Sequence, residues 1–193
     1  MAHPDDLELW AGGTLALHAQ HARVVGVVRS HDHIRNAEAA ASAKTLGIDV
    51  EILESLDATT VGDLIRQHRP DILITHPLDD VHPDHRATAA AVLAGLPEAH
   101  IHTGCPNRLY TCDSYNSLTL GGPVNASVIV DVTTTYDQKM RALAEHRSQP
   151  IDAHFGPMAQ NLSALWGSRI GVERAEAFTP VPILGRLPAA SRL

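Results

Sequence analysis

Short apolar runs of four or five residues alternate along this chain with longer stretches in which apolar positions recur at helical spacing. Strand and helix are therefore expected in turn, the signature of an α/β sandwich with a mainly parallel sheet. The spacing predicts a first helix from about Leu7 to His21, capped by Asp6, with Leu9, Leu15 and Leu17 on its apolar side. Gly12-Gly13 within it lowers helix propensity, so the backbone there is expected to pack closely against a neighbour. Val24 to Val28 reads as a buried strand, Asn36 to Leu46 as an Ala-rich helix stopped by Gly47, and Val50 to Leu53 as a second strand. Thr60 to His68 is a further helix, broken by Pro70, and Ile72 to Thr75 a third strand. The carboxyl end of that strand delivers His76 and the loop to His85, where sites gather in open α/β sheets. A helix from Arg86 to Leu93 follows, then a loop-rich stretch with Gly104, Pro106, Gly121, Gly122 and Pro123 around a strand from Leu109 to Tyr115. A strand from Val128 to Val132 and helices from Tyr136 to His146 and Met158 to Trp166 complete the pattern.

Composition narrows the classes. With 193 residues and no linker, repeat or low-complexity segment, the chain reads as one domain over residues 1–193. A formal net charge of −7 argues against non-specific nucleic-acid binding, which needs a basic face to release counterions. No apolar run is long enough to span a bilayer, and the N-terminus lacks the basic and apolar regions of a signal peptide. A cytoplasmic location without membrane attachment is the expectation. Cys105 and Cys112 are too few for a disulfide framework and read as reduced thiols.

The chemistry lies in two clusters. Ala2-His3-Pro4-Asp5-Asp6 opens the chain, and His82-Pro83-Asp84-His85 lies in its middle. Together they offer two imidazoles and a carboxylate for one metal, with another Asp and another His left for acid/base work. A catalytic zinc site needs that inventory: three protein ligands, an open position for water, and a nearby base. His82 and His85, three residues apart at a helix start, project on nearly one face and can address one point. Histidine is abundant, thirteen in all, so no single one proves a site. His31-Asp32-His33 is a minor candidate for a second small metal-binding turn. The bland alternative makes Asp5 and Asp6 helix caps and His85 a helix-start residue.

The pattern as a whole resembles the PIG-L or LmbE-like family of zinc-dependent N-deacetylases. The matching stretches are Ala2 to Leu9, Gly12-Gly13-Thr14, Ile34 to Glu38, Leu46-Gly47, Arg69-Pro70-Asp71, Asp80 to His85, Lys139 with Ala142 to Gln149, and Ala175 to Phe178. The resemblance implies a Rossmann-like three-layer sandwich, with Zn²⁺ held by His3, Asp6 and His85. It implies Asp5 as general base, His82 stabilising the oxyanion or protonating the leaving amine, Asp84 orienting His82, and Arg35 gripping the substrate. His146 reads as a supporting residue. The implied substrate is a small N-acetylated molecule, an N-acetyl amino sugar such as an N-acetylglucosamine glycoside, in natural-product, thiol or amino-sugar metabolism. A His₂Asp set also accepts Fe²⁺, Co²⁺ or Ni²⁺. Homo-oligomers are expected. Alternatives are a related amidase or hydratase, or an inactive metal-binding relative with a scaffold role; retention of Asp5, His82 and Asp84 argues against the last.

One departure concerns the first strand. Family members begin with an apolar strand leading into the Ala-His-Pro-Asp-Asp motif, and here only Met1 precedes it. That strand is expected to be missing or replaced, with Val181 to Leu184 the apolar candidate to fill its slot, although Pro182 suits a central strand poorly. The chain is also shorter than most relatives, which implies a smaller or more open pocket.

Overall fold

Two aspartates and three glycines set helix limits by local chemistry alone. In the computed structural model, which describes residues 1–188, the Asp32 carboxylate accepts from the Ile34 and Arg35 amides and starts α2 (His33–Leu46). Asp57 accepts from the Thr60 amide and starts α3 (Ala58–His68). Gly47, Gly104 and Gly171 end helices with left-handed φ of 76°, 74° and 75°, a conformation that costs glycine no Cβ clash. His31-Asp32-His33 is thus a helix start, with the His31 ring 3.0 Å from the capping carboxylate. The chain divides into two compact units.

Unit 1 comprises Met1–Glu54, Tyr115–Ser117 and Ile129–Ala177. It contains α1 (Asp6–Ala19), β1 (Val25–Arg29), α2 and β2 (Asp49–Leu53), with β1 and β2 parallel from Val25↔Asp49 to Arg29↔Leu53. α5 (Tyr136–Leu143) and α6 (Gly156–Ile170) follow later in the chain. Leu7 of α1 packs on Val28 and Ala39, and Ala16 packs with Leu46 and Ala142. The expected close approach at Gly12-Gly13 is present. A Cβ on Gly13 would meet the Val132 side chain at 2.7 Å, and one on Gly12 would meet Lys139 Cγ at 3.1 Å. Asp6 is the first helical residue of α1 rather than its cap, a position taken by Asp5 with no side-chain capping bond.

Unit 2 comprises Ser55–Ser114, Leu118–Val128 and the chain from Phe178. β3 (Ile72–Thr75) pairs in parallel with β4 (Arg108–Thr111). β4 pairs antiparallel with the second half of β8 (Ala175–Val181), from Leu109↔Val181 to Thr111↔Thr179. The sheet is therefore mixed rather than mainly parallel. Its order is β3-β4-β8-β7, where β7 is Val128–Asp131. β5 (Leu118–Thr119) and β6 (Gly122–Pro123) form a small hairpin.

α4 runs from Pro83 to Thr103, ten residues beyond the expected end at Leu93. Gly95 and Pro97 both lower helix propensity, but Gly95 serves a helix crossing. A Cβ there would fall 2.2 Å from the Ala58 carbonyl and 3.0 Å from the Gly62 amide, so glycine allows α4 to lie against α3. Val61, Ile65, Val92, Leu96, Ala99, Leu109 and Ile183 form the core beneath that crossing. Val181 to Leu184 do not supply a leading strand: Val181 pairs with Leu109, Ile183 bridges to Arg186, and Leu184 sits in a turn at φ 47°. The register is fixed by Leu109 and Ile183, whose burial in the α3/α4 core rewards this pairing. No helix among the described residues is long and apolar enough to cross a membrane.

Candidate metal and catalytic site

In unit 1 the first cluster is anchored from its amino end. The Met1 amine donates to the Val27 carbonyl, and the Arg29 amide donates to the Met1 carbonyl at 3.2 Å. One residue thus extends the hydrogen bonding of β1 and sets the approach to His3. Asp6 is buried and held by both oxygens: Oδ2 accepts from the His3 amide at 2.7 Å and Oδ1 from the Trp10 indole at 3.1 Å. His3 Nδ1 lies 3.3 Å from Asp6 Oδ2. Tyr115 meets the Trp10 ring edge-on, with centroids 5.1 Å apart.

The neighbouring carboxylate has a separate partner. Asp5 Oδ1 accepts from Arg35 Nη2 at 2.7 Å, a charge-assisted bond between largely buried groups. Arg35 reaches it from the first turn of α2, which Asp32 caps. Its Nε is buried with no hydrogen-bond partner among the described residues.

Deeper in unit 1, two buried ion pairs fix α1. Lys139 Nζ donates to Glu176 Oε1 at 2.7 Å and to the Leu9 carbonyl at 3.0 Å, while Glu176 also accepts from the Gly13 and Thr14 amides. His146 Nε2 lies 3.2 Å from Glu8 Oε2, both fully buried. Burial opposes charge on His146, but the hydrogen bond and charge of Glu8, with Asp5 and Glu38 contributing, outweigh it and raise the imidazole above its ordinary pKa.

In unit 2 the second cluster sits where β3 ends and α4 begins. His82 is the N-cap of α4, its Nδ1 accepting from the Asp84 amide at 3.2 Å. In a neutral ring the proton then rides on Nε2. His85, in the first turn, is fully buried and turns Nδ1 to Asp80 Oδ2 at 3.2 Å. Asp80 Oδ1 accepts from the His82 amide at 2.7 Å. Burial works against ionisation of Asp80, yet the His85 imidazole beside it and the bond from the His82 amide prevail and hold it below the usual carboxylate range. The His82 and His85 ring centroids are 4.8 Å apart, as their spacing predicts. His76 stacks on His85 at 3.8 Å, with ring planes 13° apart.

Sequence reasoning did not assign His76 or Asp80 a role. His76 was visible only as the residue following a strand, and Asp80 as a flanking member of the second cluster. Glu8, Lys139 and Glu176 were likewise unassigned, since a buried charge looks like a surface one until its partner is known.

The profile of the PIG-L family, described as GlcNAc-PI de-N-acetylase, matches residues 1–96 and so includes both clusters. This chain belongs to the PIG-L family. Solved structures agree on the α/β fold. A conserved protein of Thermus thermophilus is 24% identical, with TM-score 0.80 over 98% of this chain and 94% of that one. The N,N'-diacetylchitobiose deacetylase of Pyrococcus horikoshii is 23% identical, with TM-score 0.75 over 93% and 81%. A 4-carboxy-2-hydroxymuconate hydratase from Pseudomonas putida is 19% identical, with TM-score 0.79 over 100% and 96%.

Proposed function

We propose that this PIG-L chain is a zinc-dependent hydrolase that removes the N-acetyl group from an amino sugar or a glycoside containing one. The observation that carries the reading is the different setting of two adjacent carboxylates. Asp6 is locked by an amide and an indole, as suits a ligand, whereas Asp5 is paired through Oδ1 with the Arg35 guanidinium, as suits a group that exchanges a proton. The donor set of His3, Asp6 and His85 suits zinc. A buried imidazole whose Nδ1 faces a carboxylate, like His85 toward Asp80, is the usual companion arrangement of a metal-ligating histidine and leaves Nε2 for the ion.

When bound, the metal supplies Lewis acidity toward the amide carbonyl and lowers the pKa of its water to about 7. Asp5 takes the proton from the attacking water, held in place by Arg35 Nη2. His82, its Nδ1 occupied by the Asp84 amide, keeps its Nε2 proton and donates a hydrogen bond to the oxyanion, while Asp5 passes the proton taken from the water to the departing amine. Asp84 positions His82 through its main chain. The Arg35 guanidinium, anchored on Asp5, grips a hydroxyl or carboxylate group of the substrate.

The test joins metal analysis of the purified protein to acetate release from a panel of N-acetylglucosaminides. About one zinc per chain, with release abolished by a chelator, is the expected result. Metal without acetate from any member of the panel would favour the hydratase or amidase alternative. Failure to bind zinc when it is supplied would remove the metal-dependent reading.

A further inference from the structure

Unit 2 contains a cavity of about 400 Å³ between the helical face of α4 and the sheet. Ligand pockets span roughly 300–1,000 Å³, so the space suits a small group rather than a whole oligosaccharide. Its helical wall continues the face that carries the second cluster. His85, Ala89 and Leu93 follow one another at i, i+4 and i+8, and the latter two line the cavity. Its sheet wall consists of two rows set by strand register: Thr75, Thr111 and Thr179 in one, Leu109 and Val181 in the other. His76 lines it too, and stacks on His85. The cavity is therefore one imidazole away from a residue assigned to the metal.

The lining states what it would accept. Ala89, Leu93, Leu109, Val124 and Val181 cannot hydrogen-bond a ligand through their side chains. Thr119 Oγ1 donates to Asp79 Oδ2 at 2.7 Å, which ties that carboxylate to the β5–β6 hairpin.

We propose that this cavity is the specificity pocket for an apolar alkyl or aryl substituent of the substrate. The word substrate rests on the deacetylase reading; the pocket itself does not. Such a substituent can sit on the acyl carbon or on the anomeric oxygen of the sugar.

Two measurements test it on the zinc-loaded chain. Phenol is titrated by NMR, and kcat/KM is compared in two arms. One arm contrasts N-acetyl- with N-benzoylglucosamine, and the other methyl with phenyl glycosides of N-acetylglucosamine. Saturable phenol binding and at least a tenfold preference for the aryl member of one arm are expected, and the responding arm identifies the end of the substrate. Ala89→Leu, which fills the cavity, is expected to abolish phenol binding and cancel the preference. Should Ala89→Leu not fold, Val124→Asp at the half-buried lining gives the same readout. Phenol binding that ignores Ala89→Leu and Val124→Asp, or no aryl preference in either arm of an active enzyme, overturns the proposal. Phenol binding lost in these variants, with no amide hydrolysed by the wild type, upholds the pocket and overturns the deacetylase reading instead.

Discussion

At the scale of single residues, the two aspartates of the first cluster separate by what they touch. Asp5→Asn keeps the bond to Arg35 possible but cannot accept a proton, so zinc content should be unchanged while kcat falls by about 10²–10⁴; normal turnover would remove Asp5 as base. His85→Ala should abolish zinc binding, measured by metal analysis after dialysis. Asp80→Asn should retain the fold yet weaken zinc about 10–100-fold, the usual cost of losing a carboxylate behind a ligating imidazole. Asp80 illustrates what the sequence could and could not convey. The types and spacing of His3, Asp5, Asp6, His82 and His85 were readable because metal chemistry restricts ligand types so tightly. The partners Arg35 to Asp5, Trp10 to Asp6 and Asp80 to His85 were not, because each pairing depends on how α2, α1 and the β3–α4 loop fold.

At the scale of elements, the crossing of α3 and α4 is set by Gly95, where an added Cβ would fall 2.2 Å from the Ala58 carbonyl. Gly95→Ala must push the helices apart and should cost about 1–3 kcal/mol, in the range of other overpacked contacts, despite the higher helix propensity of alanine. A melting temperature equal to that of the wild type would mean that the helices are not held together there. The same glycine explains why α4 was read short: local propensity records the cost of Gly95 and Pro97 but not the packing that offsets it. The first three strands and the helices between them were legible in the sequence, because each carries a short apolar run or an apolar helical face between clear turn or cap residues. The antiparallel β8 and the β5–β6 hairpin were not, since their short, Pro- and Gly-containing segments carry no periodic signal and depend on partners distant in sequence.

At the scale of the whole molecule, pH and metal should both shift stability. The folded-state pKa of His146 is raised, so its pairing with Glu8 contributes fully below the unfolded value near 6.5 and is lost as pH rises through the higher folded value. The melting temperature of the wild type should therefore exceed that of Glu8→Gln most at about pH 6, with the gap narrowing at alkaline pH. A gap that widens with pH would contradict a protonated His146. Zinc that binds the folded chain and not the unfolded one should raise the melting temperature, and chelation should reverse the gain. The β5–β6 hairpin meets the β3–α4 loop at Asp79, whose carbonyl accepts from the Leu120 amide at 2.8 Å and whose carboxylate accepts from Thr119. Asp80, next along the chain, faces the other way in function, toward His82 and His85. On the proposed reading, in which the histidines serve turnover and the cavity selects the substrate, the two can evolve on separate clocks: hairpin tips can be exchanged on the Asp79 mount while the Asp80 support beneath the histidines stays untouched.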